Sequence, residues 1–483
     1  MKISNLNSKG LRYVSLVIAA VLINAVPSWA ANMTASSGES LSRISDRPLP
    51  LQIEGHPRRP RPLLEIGDPF LKTGPISKGF ELPTGAVWQP SLMAWGTYRT
   101  AVQGFYDGEE ENAEWTNRFD LWANLYLTPT ERILAGVRFF DQEGRFTGYT
   151  FKAPETVRED GKGFDDHLNF DITTLFFEGD FGELFPNLDL ADKHGLDYYV
   201  SVGRQPIRYQ DGMLINDNID ALGISKINLR PPTVANMRTT VLWGANELNR
   251  TNLPNDDADG MLYGVFNEID WKRSTVELDA IYVYSSRALG SGVYLGLGAT
   301  QRIGNINSTL RVLGSIPVAT ETVHNRSGVV LFNEMSMTPH GTDDLVYLNA
   351  FAAFDEFRSA SREPGAGGPL SRTGILFEAV GLGRYPAPLS NAANEAIGAA
   401  LGYQWFFANK RRQLVWELGG RYGSREGGQR AAGTGLRYQI AVGRRGIVRL
   451  DGHVIYDRDR SGPAGNRDDE IACGVRLEFL VKF

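Results

Sequence analysis

The last thirteen residues of the chain alternate between apolar and polar side chains. The apolar positions share one face of an extended strand and are Ile471, Cys473, Val475, Leu477, Phe479, Val481 and Phe483. The opposite face carries Gly474, Arg476, Glu478 and Lys482. A period of two predicts a strand, and a tilted strand of this length is long enough to cross a bilayer. The pattern fits the closing strand of a membrane barrel, although a half-buried terminal strand of a soluble domain would alternate in the same way.

Segments with the same period recur along the chain and predict eighteen strands. They cover residues 91–105, 115–127, 133–142, 168–181, 196–205, 219–229, 234–244, 260–270, 275–285, 292–302, 306–316, 328–338, 344–356, 396–407, 412–422, 432–442, 447–457 and 470–483. An even number places both chain ends on the periplasmic side of a bacterial barrel. The links are mostly short on that side, and the long outer loops are 143–167, 245–259, 357–395 and 458–469. The predicted fold is therefore all-β, a transmembrane antiparallel β-barrel with short periplasmic turns and longer extracellular loops.

The two faces of single strands differ sharply in polarity. In the second predicted strand, Phe119 and Leu121 alternate with Arg118 and Asp120. A charge that faces hydrocarbon at mid-bilayer costs about 2–4 kcal/mol, so the charged face is expected to line a wet interior. A soluble β-sandwich also alternates, but its core would have to pair every one of these charges.

The N-terminal residues predict export and a separate extension. Lys2, Lys9 and Arg12 precede an apolar run at 13–26, and small residues up to Ala30 suit a signal peptidase. We therefore expect a signal peptide at 1–30, a periplasmic or plug-like extension at 31–88 and an outer-membrane barrel at 89–483. The extension is rich in proline and arginine near residues 56–62, which prevents a transmembrane strand there. A solvated linker and a contact with a periplasmic export partner are both open interpretations of this cluster.

Composition limits the chemistry that the chain can perform. Lys and Arg number 50 against 56 Asp and Glu, which gives a formal net charge of −6, and no nucleic-acid partner is expected. The single cysteine, Cys473, allows neither an internal disulfide nor a cysteine-based metal site. No phosphate-binding glycine motif or metal spacing of the six histidines occurs, so no cofactor is expected. A barrel enzyme that acts on lipid remains an alternative, because His453 lies between Asp451 and Asp457, but no nucleophile can be identified.

Alternation also predicts which charges face the lumen. Seven arginines come from strands 15–18 and 1–3, which are contiguous once the barrel closes, and they are Arg99, Arg118, Arg138, Arg421, Arg437, Arg449 and Arg476. Strands 8–13 contribute mainly acids, namely Glu268, Glu277, Asp279, Glu334 and Asp355, against Arg311. Guanidinium groups bind carboxylates through paired N–H donors, so this wall could pass an anionic, hydroxyl-rich chain from site to site. The alternative is that arginines and acids brace the barrel wall.

Two segments carry a family resemblance. The segments YVSVGRQPIR, residues 199–208, and INDNIDAL, residues 215–222, resemble the bacterial alginate-export family of outer-membrane porins, as do residues 374–378 and 402–422 more loosely. The resemblance implies an eighteen-stranded barrel and an anionic or carbohydrate cargo. It also implies roles for Arg204 and Arg208, and for the polar residues Asp217 and Asn218. Alternation sets Arg204 in phase with outward residues, so it reaches the lumen only through a bulge at Gly203 or from above the lipid band.

These observations predict a monomeric porin in the outer membrane of a Gram-negative bacterium, surrounded by lipid. Its cargo is expected to be an anionic or polyhydroxylated solute that diffuses passively, such as a small anion or an acidic polysaccharide like alginate. A surface-binding or adhesive barrel with a blocked pore is the alternative. The long loop at 357–395 is flexible enough either to fold inward or to remain outside, and the sequence leaves both open.

Overall fold

A computed structural model describes residues 60–483, apart from 69–76, 143, 155–158, 189, 191–194, 252, 254–255, 319, 426 and 462–466. The predicted signal peptide and the first half of the predicted extension lie outside the described residues. The side chains at 459–461 and 467–469 are likewise outside this description.

Eighteen antiparallel strands form one closed barrel. The strands are β1 (Ser91–Tyr106), β2 (Glu111–Tyr126), β3 (Arg132–Arg138 and Gly148–Lys152), β4 (Gly163–Asp165 and Ile172–Asp180), β5 (Tyr198–Tyr209), β6 (Ile215–Leu229), β7 (Asn236–Ala245), β8 (Met261–Asp270), β9 (Ser274–Tyr284), β10 (Gly292–Ile303), β11 (Ile306–Pro317), β12 (Gly328–Met337), β13 (Leu345–Glu356), β14 (Asn394–Phe407), β15 (Arg412–Gly423), β16 (Arg430–Val442), β17 (Gly446–Ser461) and β18 (Arg467–Lys482). Each strand pairs with its neighbours in chain order, and β18 pairs with β1. The predicted fold class and strand number are confirmed.

The terminal strand closes the barrel in the register that its alternation predicts. Cys473 lies opposite Tyr106, and Lys482 lies opposite Thr97. Val475 is 57% exposed on the outer surface, whereas Glu478 is 1% exposed on the inner one. Strands with one apolar and one charged face therefore direct the apolar side chains toward the lipid and the charged side chains toward the interior.

The hairpin of β3 and β4 differs from the prediction, which had a long unpaired loop at 143–167. After a break, Gly148–Lys152 continues the pairing with β2, and Gly163–Asp165 pairs with this second segment. Pairing with β2 stops at Asp120 opposite Arg138 and resumes at Thr116 opposite Gly148, so β3 has nine residues in the break where β2 has three. The barrel wall is therefore taller at β2–β4 than the sequence indicated.

The periplasmic end of the closing seam is completed by the extension. Leu64–Ile66 pairs with residues 92–94 of β1, just beyond the point where the C-terminus stops. A short hairpin of Phe80–Glu81 and Val87–Trp88 then leads into β1. The described part of the extension thus runs along the wall. No helix among the described residues is long and apolar enough to span a membrane.

Two segments fold inward and build a core inside the barrel. We call residues 207–217, the end of the β5–β6 hairpin, the inner hairpin, and residues 357–395 the inner loop. Their apolar side chains are buried together with inward residues of the wall; the cluster includes Ile207, Leu214, Ile215, Leu262, Val330, Phe357, Leu370, Leu376, Phe377 and Leu389. Backbone bonds join the two segments, since Ala360 donates to Leu214 and Asn216 donates to Ser361. The sequence left open whether this loop folds inward or remains outside, and in the structure it folds inward.

Candidate functional site: an arginine wall covered by the inner loop

The seven arginines of the predicted wall lie on the inner face of β15–β18 and β1–β3. The cross-strand register joins several of them directly, since Arg99 lies opposite Arg118 and Asp120 lies opposite Arg138. A second row crosses five strands in the order Arg437, Asp451, Arg476, Gln103 and Glu114. The structure therefore brings these residues together as alternation predicted. We refer to the seven arginines as the arginine wall.

Most of these guanidinium groups bind a carboxylate of a neighbouring strand. Arg99 Nε lies 2.6 Å from Glu478 Oε1. Arg118 and Arg138 share Asp120, with Nε to carboxylate distances of 2.9 and 3.0 Å. The bracing that the sequence left as an alternative is thus a real part of the wall.

Arg476 is the most buried arginine of the wall, because its side chain is completely inaccessible to solvent. It donates to Gln103 Oε1 at 3.0 Å and contacts Asp451 at 3.2 Å, and it also pairs with Glu478. Arg476 thus links its own strand to β17 through Asp451 and to β1 through Gln103, and a buried charge of this kind is costly to leave without its partners. Arg476 is therefore a structural residue and does not face the lumen water.

The N–H groups of the arginine wall that point into the lumen bind the inner loop. Arg99 Nη2 donates to the carbonyl of Val380 at 3.0 Å, and Arg118 Nη1 donates to the carbonyl of Gly381 at 3.3 Å. Arg421 Nη1 donates to the carbonyl of a further loop residue, Ser390, at 2.9 Å. The loop thus lies along the wall on the same guanidinium groups that could meet a solute.

Two loop carboxylates take part in this contact. Glu363 lies 2.6 Å from Arg138 Nη1, and Glu378 lies 2.6 Å from Arg437 Nη1. Neither residue was identified from the sequence, because only the fold reveals that the loop enters the barrel. The one available signal was the motif at 374–378, which ends in Glu378.

Arg449 is the wall arginine with the greatest exposure, 25% of its side chain. Its Nε donates to Gln439 at 3.2 Å, and its nearest carboxylate, Glu478, is 3.6 Å away. Weak ion pairing and contact with lumen water make it the member of the wall best placed to meet a diffusing anion.

The prediction that Arg204 lines the lumen is wrong. The register through Gly203 is continuous on both sides, so there is no bulge. Arg204 consequently lies on the outer face in phase with Val202, and its Nε lies 3.0 Å from Asp220 while its Nη2 lies 2.8 Å from Glu247. Gly203 has a φ of +121° and lies against the backbone of β4, so the position requires glycine. The strand nevertheless keeps its alternation of inner and outer residues through Gly203.

Arg208 lies on the inner hairpin, where its side chain is exposed and donates to the carbonyl of Asp211 at 3.2 Å. It borders a polar cavity of about 160 Å³ between the hairpin and the acidic side of the wall. Two arginines and four carboxylates are among the residues that line this cavity, namely Arg208, Arg238, Asp211, Glu268, Glu277 and Asp279. The resemblance segment therefore builds part of the interior, although through Arg208 and not Arg204.

The inner loop is fixed by buried groups of the wall. Glu417 accepts the backbone N–H groups of Ile375 at 2.9 Å and Leu376 at 2.8 Å. Tyr385 OH lies 2.9 Å from His453 Nδ1, and burial raises the pKa of this tyrosine. The strand histidine that suggested a barrel enzyme is thus a contact of the loop. No group of side chains suited to a metal ion occurs in the described part of the chain.

Comparison with known proteins finds similarity at the level of structure. No family model and no curated protein sequence matches this chain. The solved structures of OccK2 (OpdF) and OccK9 (OpdG) from Pseudomonas aeruginosa match with TM-scores of 0.53 and 0.54, each at 10% identity, covering 81% of this chain and 98% of the other. OccK2 in complex with glucuronate matches with a TM-score of 0.50 at 11% identity, covering 81% of this chain and 96% of the other.

These neighbours are outer-membrane porins, not enzymes. They are not alginate-export proteins, so the structural likeness does not single out the family that the sequence motifs resemble. The likeness shows the fold, a closed β-barrel whose apolar outer surface suits an outer membrane, as the sequence predicted.

Proposed function

We propose that the protein is a porin through which a carboxylated saccharide, or a similar anionic and hydroxyl-rich solute, crosses the outer membrane by passive diffusion. The observation that carries the proposal is the arginine wall. Arg99, Arg118, Arg138 and Arg437 keep 11–18% of their side chains exposed, and Arg449 keeps 25%. Guanidinium donors of this kind suit carboxylate oxygens and stay charged at every relevant pH.

Passage requires each contact to be weak enough to release the solute. The wall supports this because six of its seven arginines already lie within 4 Å of a carboxylate, and the seventh, Arg421, donates to Ser390 and Asn394. Contacts with partly exposed ion pairs are worth about 0.2–1 kcal/mol each. Several such contacts in a row give selectivity without trapping.

The inner loop and the inner hairpin both lie in the lumen, so they limit the size of solute that can pass. This arrangement favours a single uronate or a short acidic saccharide over a long polysaccharide such as alginate. Support of a second kind comes from a solved neighbour that was crystallised with glucuronate, a carboxylated sugar. A porin for uronate-sized anions is therefore the function that we propose.

Planar-bilayer recording of the purified protein tests the proposal. We expect open channels whose reversal potential in a salt gradient favours anions, and vesicle swelling that is faster with glucuronate than with glucosamine. Replacing Arg118, Arg138 and Arg449 together with glutamine is expected to reduce anion preference. The matched control is Arg302→Gln, because Arg302 is exposed at the β10–β11 turn and donates to Gly304. An unchanged reversal potential in the triple variant would reject the assignment.

A blocked, surface-binding barrel is the second candidate. It is favoured by the apolar core between the inner loop and the inner hairpin, in which Phe377 and Leu214 are fully buried. Absence of single-channel current from a correctly folded barrel would support this second candidate and contradict the first.

A further inference from the structure

The arginine wall binds the inner loop in a repeated way. The Nε atom faces a carboxylate on a barrel strand at four of the arginines, namely Arg99, Arg118, Arg138 and Arg437. At each of the same residues, a terminal nitrogen faces an oxygen of the inner loop. Two of these loop oxygens are backbone carbonyls and two are carboxylates. The loop therefore presents to the wall the same kinds of acceptor that a carboxylated saccharide would present.

The loop carboxylates differ from the wall carboxylates in exposure. Glu363 and Glu378 keep 32% and 38% of their side chains exposed. Asp120 and Asp451, which bind the same two arginines, keep only 5% and 10%. Water and solutes in the lumen can reach the loop carboxylates while the wall carboxylates are shielded.

We propose that Glu363 and Glu378 occupy the carboxylate-binding positions of the channel, and that the carboxylate of a passing solute exchanges with them at Arg138 and Arg437. This inference rests on the proposed function. It makes the two glutamates specificity-determining residues, because a solute must carry a comparable charge in order to compete with them.

Exchange of one carboxylate for another leaves both arginines paired throughout. Arg138 retains Asp120 and Asp141 when Glu363 leaves, and Arg437 retains Asp451 when Glu378 leaves. No step exposes a guanidinium group without a counter-charge, so the exchange avoids the large cost of a lone buried charge. A neutral sugar offers only hydroxyl groups, which bind guanidinium more weakly than carboxylates do.

Only side chains have to move in this exchange. The backbone beside Glu378 is held by Glu417, which accepts from Ile375 and Leu376. The backbone beside Glu363 is held by its own N–H, which donates to the carbonyl of Asn216 at 2.9 Å. The inner loop therefore stays in place while its two carboxylates swing away from the wall.

The double variant Glu363→Gln and Glu378→Gln removes the internal competitors and keeps the shape of both side chains. We expect glucuronate to bind more tightly, seen as a lower half-saturating concentration in current-block titrations, by on the order of threefold for each carboxylate. Glucose flux should stay unchanged. Glu321→Gln, in an extracellular loop and 3.6 Å from Arg326, is the control.

An unchanged or weaker glucuronate affinity in the double glutamine variant would overturn the inference, provided that the wild-type channel responds to glucuronate. If the wild-type channel conducts but shows no response to glucuronate, the proposed function itself fails, and the inference fails with it. Should the double variant not assemble, Glu378→Gln alone is measured, with the same direction expected. A purely structural role for the glutamates would lower flux of charged and neutral solutes alike, which also counts against the inference.

Discussion

The C-terminal residue Phe483 closes the barrel seam on Gly96 of β1. Their backbones exchange two hydrogen bonds, from Gly96 N to Phe483 O at 2.9 Å and from Phe483 N to Gly96 O at 3.1 Å. The ring of Phe483 covers the glycine and lies 5.7 Å from the ring of Phe119, centroid to centroid. A side chain at residue 96 would take the space that the terminal ring needs.

Substituting Gly96 by alanine is therefore expected to weaken barrel closure. The new Cβ would lie 2.7 Å from carbons of the Phe483 ring and 2.8 Å from the carbonyl of Asp120. Such overpacking costs about 1–3 kcal/mol. The measurement is the temperature at which the folded band disappears in a heat-modifiability gel. Gly104→Ala is the control on the same face of β1, since its nearest neighbour is the carbonyl of Asn112 at 3.6 Å, and equal melting of the two variants would contradict the seam contact.

Removing the buried cation Arg476 tests the bracing of the wall. In the variant Arg476→Met, Asp451 and Glu478 keep other arginines but lose the one that joins them, and Gln103 loses its donor. We expect the free energy of unfolding to fall by about 3 kcal/mol, measured from urea denaturation in detergent. The exposed Arg302→Gln should change it by less than about 0.5 kcal/mol. A stable Arg476→Met barrel would show that the wall does not depend on this residue.

The strands could be predicted from the sequence because lipid outside and water inside impose the same period of two on each one. The lumen placement of Arg99 or Arg437 followed from this period alone. The broken third strand could not be predicted in the same way, because its pairing with β2 stops at Arg138 and resumes at Gly148, and alternation within one strand does not reveal such a break.

The inner loop escaped prediction for a different physical reason. Its position is set by contacts between residues far apart in the chain, such as Arg384 Nε and Glu114 Oε2 at 2.9 Å, which are 270 positions apart. Loop composition is compatible with a loop that folds into the lumen and with one that remains outside, and only these contacts decide between the two positions. The partners that the inner loop contributes to the arginine wall, such as Glu363 and Glu378, could consequently not be predicted.

Gly374 tests how the inner loop is anchored. A Cβ at this residue would overlap the carboxylate of Glu417, which accepts two backbone N–H groups of the loop. We expect Gly374→Ala to release this part of the loop, so that trypsin cleaves after Arg372 or Arg384 faster by about tenfold or more. Gly365→Ala lies in the same loop with no atom within 4 Å of the new Cβ, and should be cleaved as slowly as wild type. Equal cleavage of both variants would place the anchor elsewhere.

Arg449 and Arg421 separate the two tasks of the arginine wall. Arg421 is 5% exposed, and its terminal nitrogens donate to Ser390 and Asn394 at 2.9 and 2.8 Å, so it holds the loop. Arg449 has the weaker partners described above and faces the lumen. We expect Arg449→Gln to reduce glucuronate permeation about threefold with unchanged glucose permeation and unchanged stability, because it removes one weak anion contact.

The matched variant Arg421→Gln should behave in the opposite way. Its effect is expected on the stability of the barrel and on trypsin cleavage of the inner loop, since buried hydrogen bonds from a charged group contribute about 1.5–3 kcal/mol. Permeation of charged and neutral sugars should then change by the same factor. If instead Arg421→Gln discriminated between glucuronate and glucose and Arg449→Gln did not, the solute would pass on the side of the wall that the inner loop covers, and the exposed arginine would have no part in selecting it.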